Sequence, residues 1–507
     1  MPWKKILRYF LLLILVLGII TVFLANRNLK QIYGGLTEEV DPGQFVPYEG
    51  PICIEHVHVL SPDGQRFLPN RTVCLEGGKI VAIDSVLEYE TGTAVEDGTG
   101  KYLIPALTDA HVHLWQSPND LLLYLANGIT HIRELVGAPH HLTLREEIKA
   151  GRLGPQMYVA SPRLGTFGTM EGWFMNWSQE FNNVKDAADA AQHVLYLKEQ
   201  GYDGIKAYSH LSRECYEAIS RTADSLGMDM VGHIPWSIEI DDLWTSHQSD
   251  IAHLEEIMNA LRREFDKQDE SDDPSQLLAY IDQRSQEMIP HMLQKDISLT
   301  TTLWLVESFY RQKFELDAVL KEVELAYVNP GIAEWDEMIP MGLGWLPSVN
   351  RYKLPEGLSE EDLAGRRTFW QTYAEACRVI LKNMAAGGVV ILAGTDASLP
   401  VTVPGFSLHQ ELVSMQAVGM SPAEVLQTAT LNPAIRLRRN AGKISPGFQA
   451  DLLLLNQNPL EDIRHTQSIE AVFLGGKMLD RKLLDDMLAA VKAANDRSRT
   501  IDISEFE

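Results

Sequence analysis

An α/β chain built around a (β/α)8 barrel is the fold predicted here, on three observations. Short apolar runs alternate with amphipathic helical stretches through the middle of the sequence, the pattern of a parallel sheet with crossover helices. Those runs can be counted as eight strands, at 103–113, 129–136, 156–162, 204–209, 229–234, 250–255, 297–305 and 388–395. The 507 residues leave room for one barrel of roughly 250 residues and a smaller appended unit.

Taken in order, the first element is apolar. Lys4, Lys5 and Arg8 precede an apolar run over 9–25, at the short end of the ~17–25 residues that span a bilayer. Phe23, Leu24 and Ala25 put a bulky residue where a cleavage site carries small ones, so 1–30 reads as an uncleaved signal anchor, with a cleaved signal peptide and a secreted body as the alternative. The basic flank orients the amino end to the cytoplasm and exports the body to the periplasm or the cell exterior. Residues 31–50 read as a polar tether, punctuated by Pro and Gly.

Segments 51–102 and 435–485 alternate β-rich runs with turn residues, and predict a small β-sandwich domain contributed by both termini. Between them 103–434 forms the barrel, with an insertion at about 256–365 that separates the sixth and eighth strands as a lid, and 486–507 is a C-terminal tail. Helices are expected at 187–200, 213–226 and 368–386, several ending in Gly.

Composition excludes some classes. Against 69 Asp and Glu stand 44 Lys and Arg, a net charge of −25, and such a surface repels phosphate backbones, so no nucleic-acid partner is expected. Four scattered cysteines make neither a disulfide framework nor a cysteine zinc site. Buried thiols are the expectation, with Cys53 and Cys74 alone placed in neighbouring strand segments where a bridge could close.

The chemistry is carried by strand ends. His111 and His113 end the first apolar run, and alternation on a strand points both imidazoles to one face, where they can grip a divalent metal. A second His-x-His, His56 and His58, falls in the appended β segment and is assigned a structural role. At the carboxyl ends of the fourth, fifth, sixth and eighth strands lie Lys206, His233, His253 and Asp396, all directed to one mouth. Tyr208, two residues past Lys206 and on its face, is placed to hydrogen-bond a carbonyl oxygen as charge develops. His131, His140, His141, His210, His247 and His409 are given no site role, His409 being the one placed nearest the pocket.

Pro-Ala-Leu-Thr-Asp-Ala-His-Val-His (105–113), Gly-Ile-Lys-Ala-Tyr (204–208), Val-Gly-His-Ile-Pro (231–235), Asp-Ile-Ala-His-Leu (250–254) and Leu-Ala-Gly-Thr-Asp-Ala (392–397) occur in this order. As a set, with Thr-Leu-Asn-Pro-Ala at 430–434 and the segment 442–451, they resemble the amidohydrolase superfamily, in its imidazolonepropionase-like and metal-dependent dipeptidase-like branch. The resemblance runs from about 51 to 480. It implies that His111, His113 and Asp396 hold one metal ion and His233 and His253 a second, two zinc ions per chain bridged by a carboxylated Lys206. It further implies hydrolysis of a carbon–nitrogen amide bond in a peptide, an N-acyl amino acid or a cyclic amide, with Asp396 moving the proton.

Three alternatives stay open. A mononuclear, imidazolonepropionase-like cyclic amidase needs only His111, His113, a later histidine and Asp396. A deaminase of this superfamily typically has glutamate three residues after the fifth-strand histidine, where this chain has Trp236. A non-catalytic scaffold would lack ligands, and none is missing. Substrate selectivity is assigned to the strand-end loops, including 165–173, and a homo-oligomer is left open.

Overall fold

The computed structural model describes residues 3–268, 273–335 and 343–506. Eight short parallel strands form the barrel: Leu107–Val112, Ile129–Glu134, Gln156–Val159, Gly204–Ala207, Asp229–Gly232, Gln248–Ala252, Ser298–Thr300 and Ile391–Leu392. Strands one to three pair in one run and strands four to eight in another. The two runs close on each other through Ala160 against Gly204 and Val112 against Ala397. Backbone hydrogen bonds reinforce the closure, Ser161 N donating to Gly204 O and Ala110 N to Ala393 O, each at 2.9 Å. Strand burial is continuous, because helices cover the outside and side chains fill the inside.

The first apolar run serves two sheets. Tyr102–Pro105 pairs antiparallel with Leu452–Leu455, and the barrel strand starts only at Leu107. Pro105, lacking an N–H, ends the first pairing. The terminal segments join in one hydrogen-bonded sheet of eight strands, in place of the expected sandwich. Ile52–Leu60 is its hinge, pairing with Phe67–Glu76 on one side and with Ala94–Asp97 and Tyr102–Pro105 on the other. Lys477–Asp480, Ile469–Leu474 and Leu452–Leu455 extend it from the C-terminal end.

Cys53 and Cys74 face each other across two antiparallel strands and are joined by a disulfide, while Cys215 and Cys377 are buried thiols. The bridge closes a loop of 21 residues, a constraint on the unfolded chain worth about 2–4 kcal/mol. Reduction should therefore lower the thermal midpoint of the detergent-solubilised chain by several degrees, measured by circular dichroism with and without dithiothreitol.

Helices Ala187–Gln200 and Arg213–Ser225 fall where the amphipathic pattern places them, and the helix expected at 368–386 begins earlier, at Glu360, where Ser359 caps it. Of the insertion at about 256–365, residues 269–272 and 336–342 lie outside the described residues. Its remainder holds the helices Leu254–Gln268 and Pro274–Lys295, then the seventh barrel strand, then Leu303–Phe314 and shorter turns.

Two terminal expectations are corrected. The helix Trp3–Ile32 extends past the apolar run, and the residues after it are no free tether: Leu29, Ile32, Tyr33, Val40 and Phe45 are buried against the body. The C-terminal tail is a packed helix, Arg481–Ser498, against Asp120–Ala126, and Ile503 and Phe506 beyond it are buried. Both segments carry enough apolar side chains to gain by docking. Residues 3–24 of the N-terminal helix are all exposed, none of them buried against the body.

Candidate metal centre at the barrel mouth

All six strand-end residues converge. His113 Nε2 lies 2.7 Å and His111 Nε2 3.3 Å from Asp396 Oδ1, and His253 Nδ1 lies 3.8 Å from Asp396 Oδ2. The rings of His111 and His253 are 4.4 Å apart and those of His233 and His253 5.0 Å. The ligand atoms offered by His111, His113 and Asp396 lie within 4.8 Å of one another. Lys206 is fully buried on the fourth strand, facing the same cluster.

Backbone geometry serves this convergence. Asp396 and His253 hold left-handed conformations, with φ of 58° and 82°, strain that non-glycine residues sustain where surroundings fix them. Gly232, at φ 124°, precedes His233, and a Cβ there would meet Ala207 O at 2.3 Å. Gly394 lets the eighth strand close on the first, since its Cβ would fall 2.7 Å from His111 Cβ.

The donor set fits a cation. Among the described residues, both ring nitrogens of His111 are buried without a hydrogen-bond partner, a costly state that a metal ion at Nε2 would relieve. Burial, with the nearby Lys206 charge, holds His111 and His233 well below the usual imidazole range, and burial brings His253 down to about 4. These three are therefore neutral, the ligating form. Burial also disfavours charge on His113, but Asp396 alongside outweighs it and raises its pKa. Burial opposes ionisation of Asp396, yet His253 and His113 hold it down at about 2. Burial pulls Lys206 down to about 8, against the attraction of Asp396.

Several supporting residues escaped the sequence reading. Glu134, at the end of the second strand, faces His113 Nδ1 at 3.5 Å and accepts from Leu114 N and Val136 N at 2.6 and 2.7 Å. Burial works against its charge, but His141 and His113 hold it down at about 2. Glu256 faces His233 Nδ1 at 3.1 Å, and Ser209 Oγ is 2.8 Å from the same atom. Each contact occupies Nδ1 and leaves Nε2 for the centre. Beneath them Arg133 donates to Ala110 O, Asp250 Oδ2 and Thr300 Oγ1 at 2.6, 2.8 and 2.6 Å. An acid at a barrel-strand end was a readable signal for Glu134; Glu256 sits on a helix and offered none. Glu134→Gln is expected to weaken metal affinity about 10–100-fold, measured by competition with a chromophoric chelator.

Tyr208 stacks obliquely on His233 at 4.2 Å between ring centroids, half-buried at the rim. The guanidinium of Arg163 sits over Phe181 at 4.5 Å, 5.5 Å from the Tyr208 ring and 6.0 Å from Trp115. Trp115 in turn lies 5.4 Å from His113. His56 and His58 lie in the appended sheet, His56 bonded to Asn70 and His58 stacked on Tyr102. His409 is corrected: it is buried away from the pocket, between Thr466 Oγ1 at 2.9 Å and Asn127 O at 3.2 Å. Its helix packs against Ile463–Gln467, which claims the ring.

A closed eight-stranded parallel (β/α)8 barrel, with a buried His-His-Asp group at the carboxyl end of its strands that could hold a metal ion, is the class the fold and site define. Residues 371–479 match the family model described as Amidohydrolase family. Over 130 residues the chain is 33% identical to ochratoxinase of Aspergillus niger, covering 24% of this chain and 25% of that one. Over 89 residues it is 35% identical to adenine deaminase 3 of Rhizobium johnstonii, covering 17% and 15%. The chain thus matches about a quarter or less of these relatives' length. Among solved structures, bottromycin amidohydrolase has a TM-score of 0.65 at 19% identity, over 92% of this chain and 96% of that one. A Xaa-Pro dipeptidase with methionine in its active site has a TM-score of 0.59 at 16% identity, over 85% and 100%. Residues 371–479 thus carry the amidohydrolase family match, and the fold of the whole chain resembles that of solved amidohydrolases and prolidases.

Proposed function

We propose that this chain is a metal-dependent hydrolase of carbon–nitrogen amide bonds, anchored in a membrane by its N-terminal helix with the barrel on the exported side. The single observation that carries the reading is the convergence of His111, His113, Lys206, His233, His253 and Asp396, with buried orphan donors, at one barrel mouth. In this reading His111, His113 and Asp396 would hold one divalent ion and His233 and His253 a second, zinc being the default for such donors, with Lys206, carboxylated, as a further ligand that both could share. The bound ions would acidify water and polarise the scissile carbonyl.

The chain's own residues supply the rest. Asp396, ionised and fixed by His113, takes a proton from the attacking water and delivers it to the departing nitrogen. Tyr208 donates to the carbonyl oxygen from the fourth-strand side. Lys206 suits its role because burial favours the neutral amine, whose nitrogen adds to carbon dioxide with loss of one proton. Ochratoxinase, prolidase and bottromycin amidohydrolase are relatives or structural neighbours whose names accord with amide substrates. The adenine deaminase likeness favours the deaminase alternative, but Trp236 is exposed, packs on His210, and has no proton to shuttle. The disulfide of Cys53 and Cys74 suits an exported, oxidising location.

Arg163 supports a substrate with a free carboxylate, such as a dipeptide or an N-acyl amino acid. It is 93% buried, since 7% is exposed, and its Nε has no hydrogen-bond partner. The metal-loaded chain in detergent should hydrolyse members of a panel of dipeptides, N-acyl amino acids and lactams, and the chelated chain none. Cleavage of lactones alone would overturn the amide reading. Arg163→Leu should raise KM for carboxylate-bearing substrates about 10–100-fold, the worth of a charge-assisted hydrogen bond, and leave their amidated forms unchanged.

A further inference from the structure

We propose that the helix Thr169–Gln179, on the rim of the barrel mouth, lies in the lipid–water interface, so that the site opens against the bilayer that holds the N-terminal helix. This rests on the reading of that helix as a membrane anchor. The rim helix is amphipathic the wrong way round for a soluble protein. Met170, Trp173, Phe174 and Trp177 recur at i, i+3, i+4 and i+7 and form one face. Met170, Trp173 and Phe174 point outward, 87%, 69% and 41% exposed, while Trp177 is half-buried against the body and Gly172 and Ser178 are buried.

Continuity with the anchor identifies the occupant as lipid. Trp177 Nε1 donates to Asn26 Oδ1 at 2.8 Å, and Tyr33 Oη donates to Ser178 O at 2.9 Å. Asn26 is the residue at which the apolar run over 9–25 ends, and Arg27 and Lys30 follow it. The rim helix is thereby tied to the level where the anchor would leave hydrocarbon for headgroups, the level at which tryptophan is enriched and basic residues meet anionic lipid.

The same side carries the mouth. Tyr33 stacks on Trp115 at 5.1 Å, beyond the first-strand histidines, and Trp236, 63% exposed, follows the fifth strand. An interfacial helix of this composition, with Glu171 its one charged residue, buries its apolar face at the headgroup–acyl boundary.

The test uses the full chain in phosphatidylcholine vesicles containing anionic lipid. Met170→Cys is labelled with an environment-sensitive fluorophore, the native free thiols being buried, and quenched with nitroxide-bearing phospholipid. Leu15→Cys reports the anchor, and Glu199→Cys, at the opposite end of the barrel, reports the aqueous background. Quenching at 170 several-fold above that at 199 supports the proposal. Quenching at 15 with 170 no different from 199 overturns it and leaves the anchor reading intact. No quenching at 15 overturns the anchor reading and this proposal with it. A blue-shifted, unquenched label at 170 means that protein, such as a second copy, covers the face, and also overturns it.

Discussion

His111→Ala is expected to reduce amide hydrolysis by more than about 10³-fold, since a metal ion supplies several kcal/mol of transition-state stabilisation. Its imidazole is fully buried, 3.3 Å from Asp396, with both ring nitrogens free of hydrogen bonds. Bound metal, read by elemental analysis, should fall in step with activity. His56→Ala is the matched control: the ring is exposed on the appended sheet and holds only Asn70. Loss of activity in His56→Ala with His111→Ala unaffected would overturn the assignment of the two histidine pairs.

The second large effect is expected at Lys206. Lys206→Ala should lower the metal content from about two ions per chain to about one and lose most activity, because one protein group then no longer bridges the two sites. One ion per chain before and after the change would favour the mononuclear alternative. The carbamate adds a pH signature. With the amine held at about 8, the neutral form grows as pH rises, from about one part in a hundred at pH 6 to half at pH 8. At equal dissolved carbon dioxide, reactivation of the metal-stripped chain by zinc should therefore be roughly 50-fold faster at pH 8 than at pH 6. A bridging water alone would show no dependence on bicarbonate.

Much of the fold was legible because it is written in local periodicity. Seven of the eight apolar runs contain a barrel strand and the sixth, 250–255, overlaps one that starts at Gln248, while the helices at 187–200 and 213–226 needed only their pattern and caps. That the six candidate residues lie together was legible for a related reason: a parallel barrel carries every strand end to one mouth, so chain order and strand ends suffice to gather them. What failed was non-local. His409 lies just after a Pro-Gly turn and could have faced either way, and only the packing of Ile463–Gln467 directs it from the pocket. The supposed tether and tail set a few apolar side chains among polar ones, and their docking depends on surfaces contributed by distant segments.

From the sequence alone, the barrel and the strand ends that carry His111, His113, Lys206, His233, His253 and Asp396 as candidate ligands were legible, since both follow from alternation and chain order. Tertiary structure alone decided how Glu134 and Glu256 hold His113 and His233, where Arg163 places its charge, and that Cys53 meets Cys74. It also turned the apolar stripe of Thr169–Gln179 outward beside the N-terminal helix. A one-dimensional pattern records which residues share a face. Which surface that face meets depends on contacts between residues far apart in the chain.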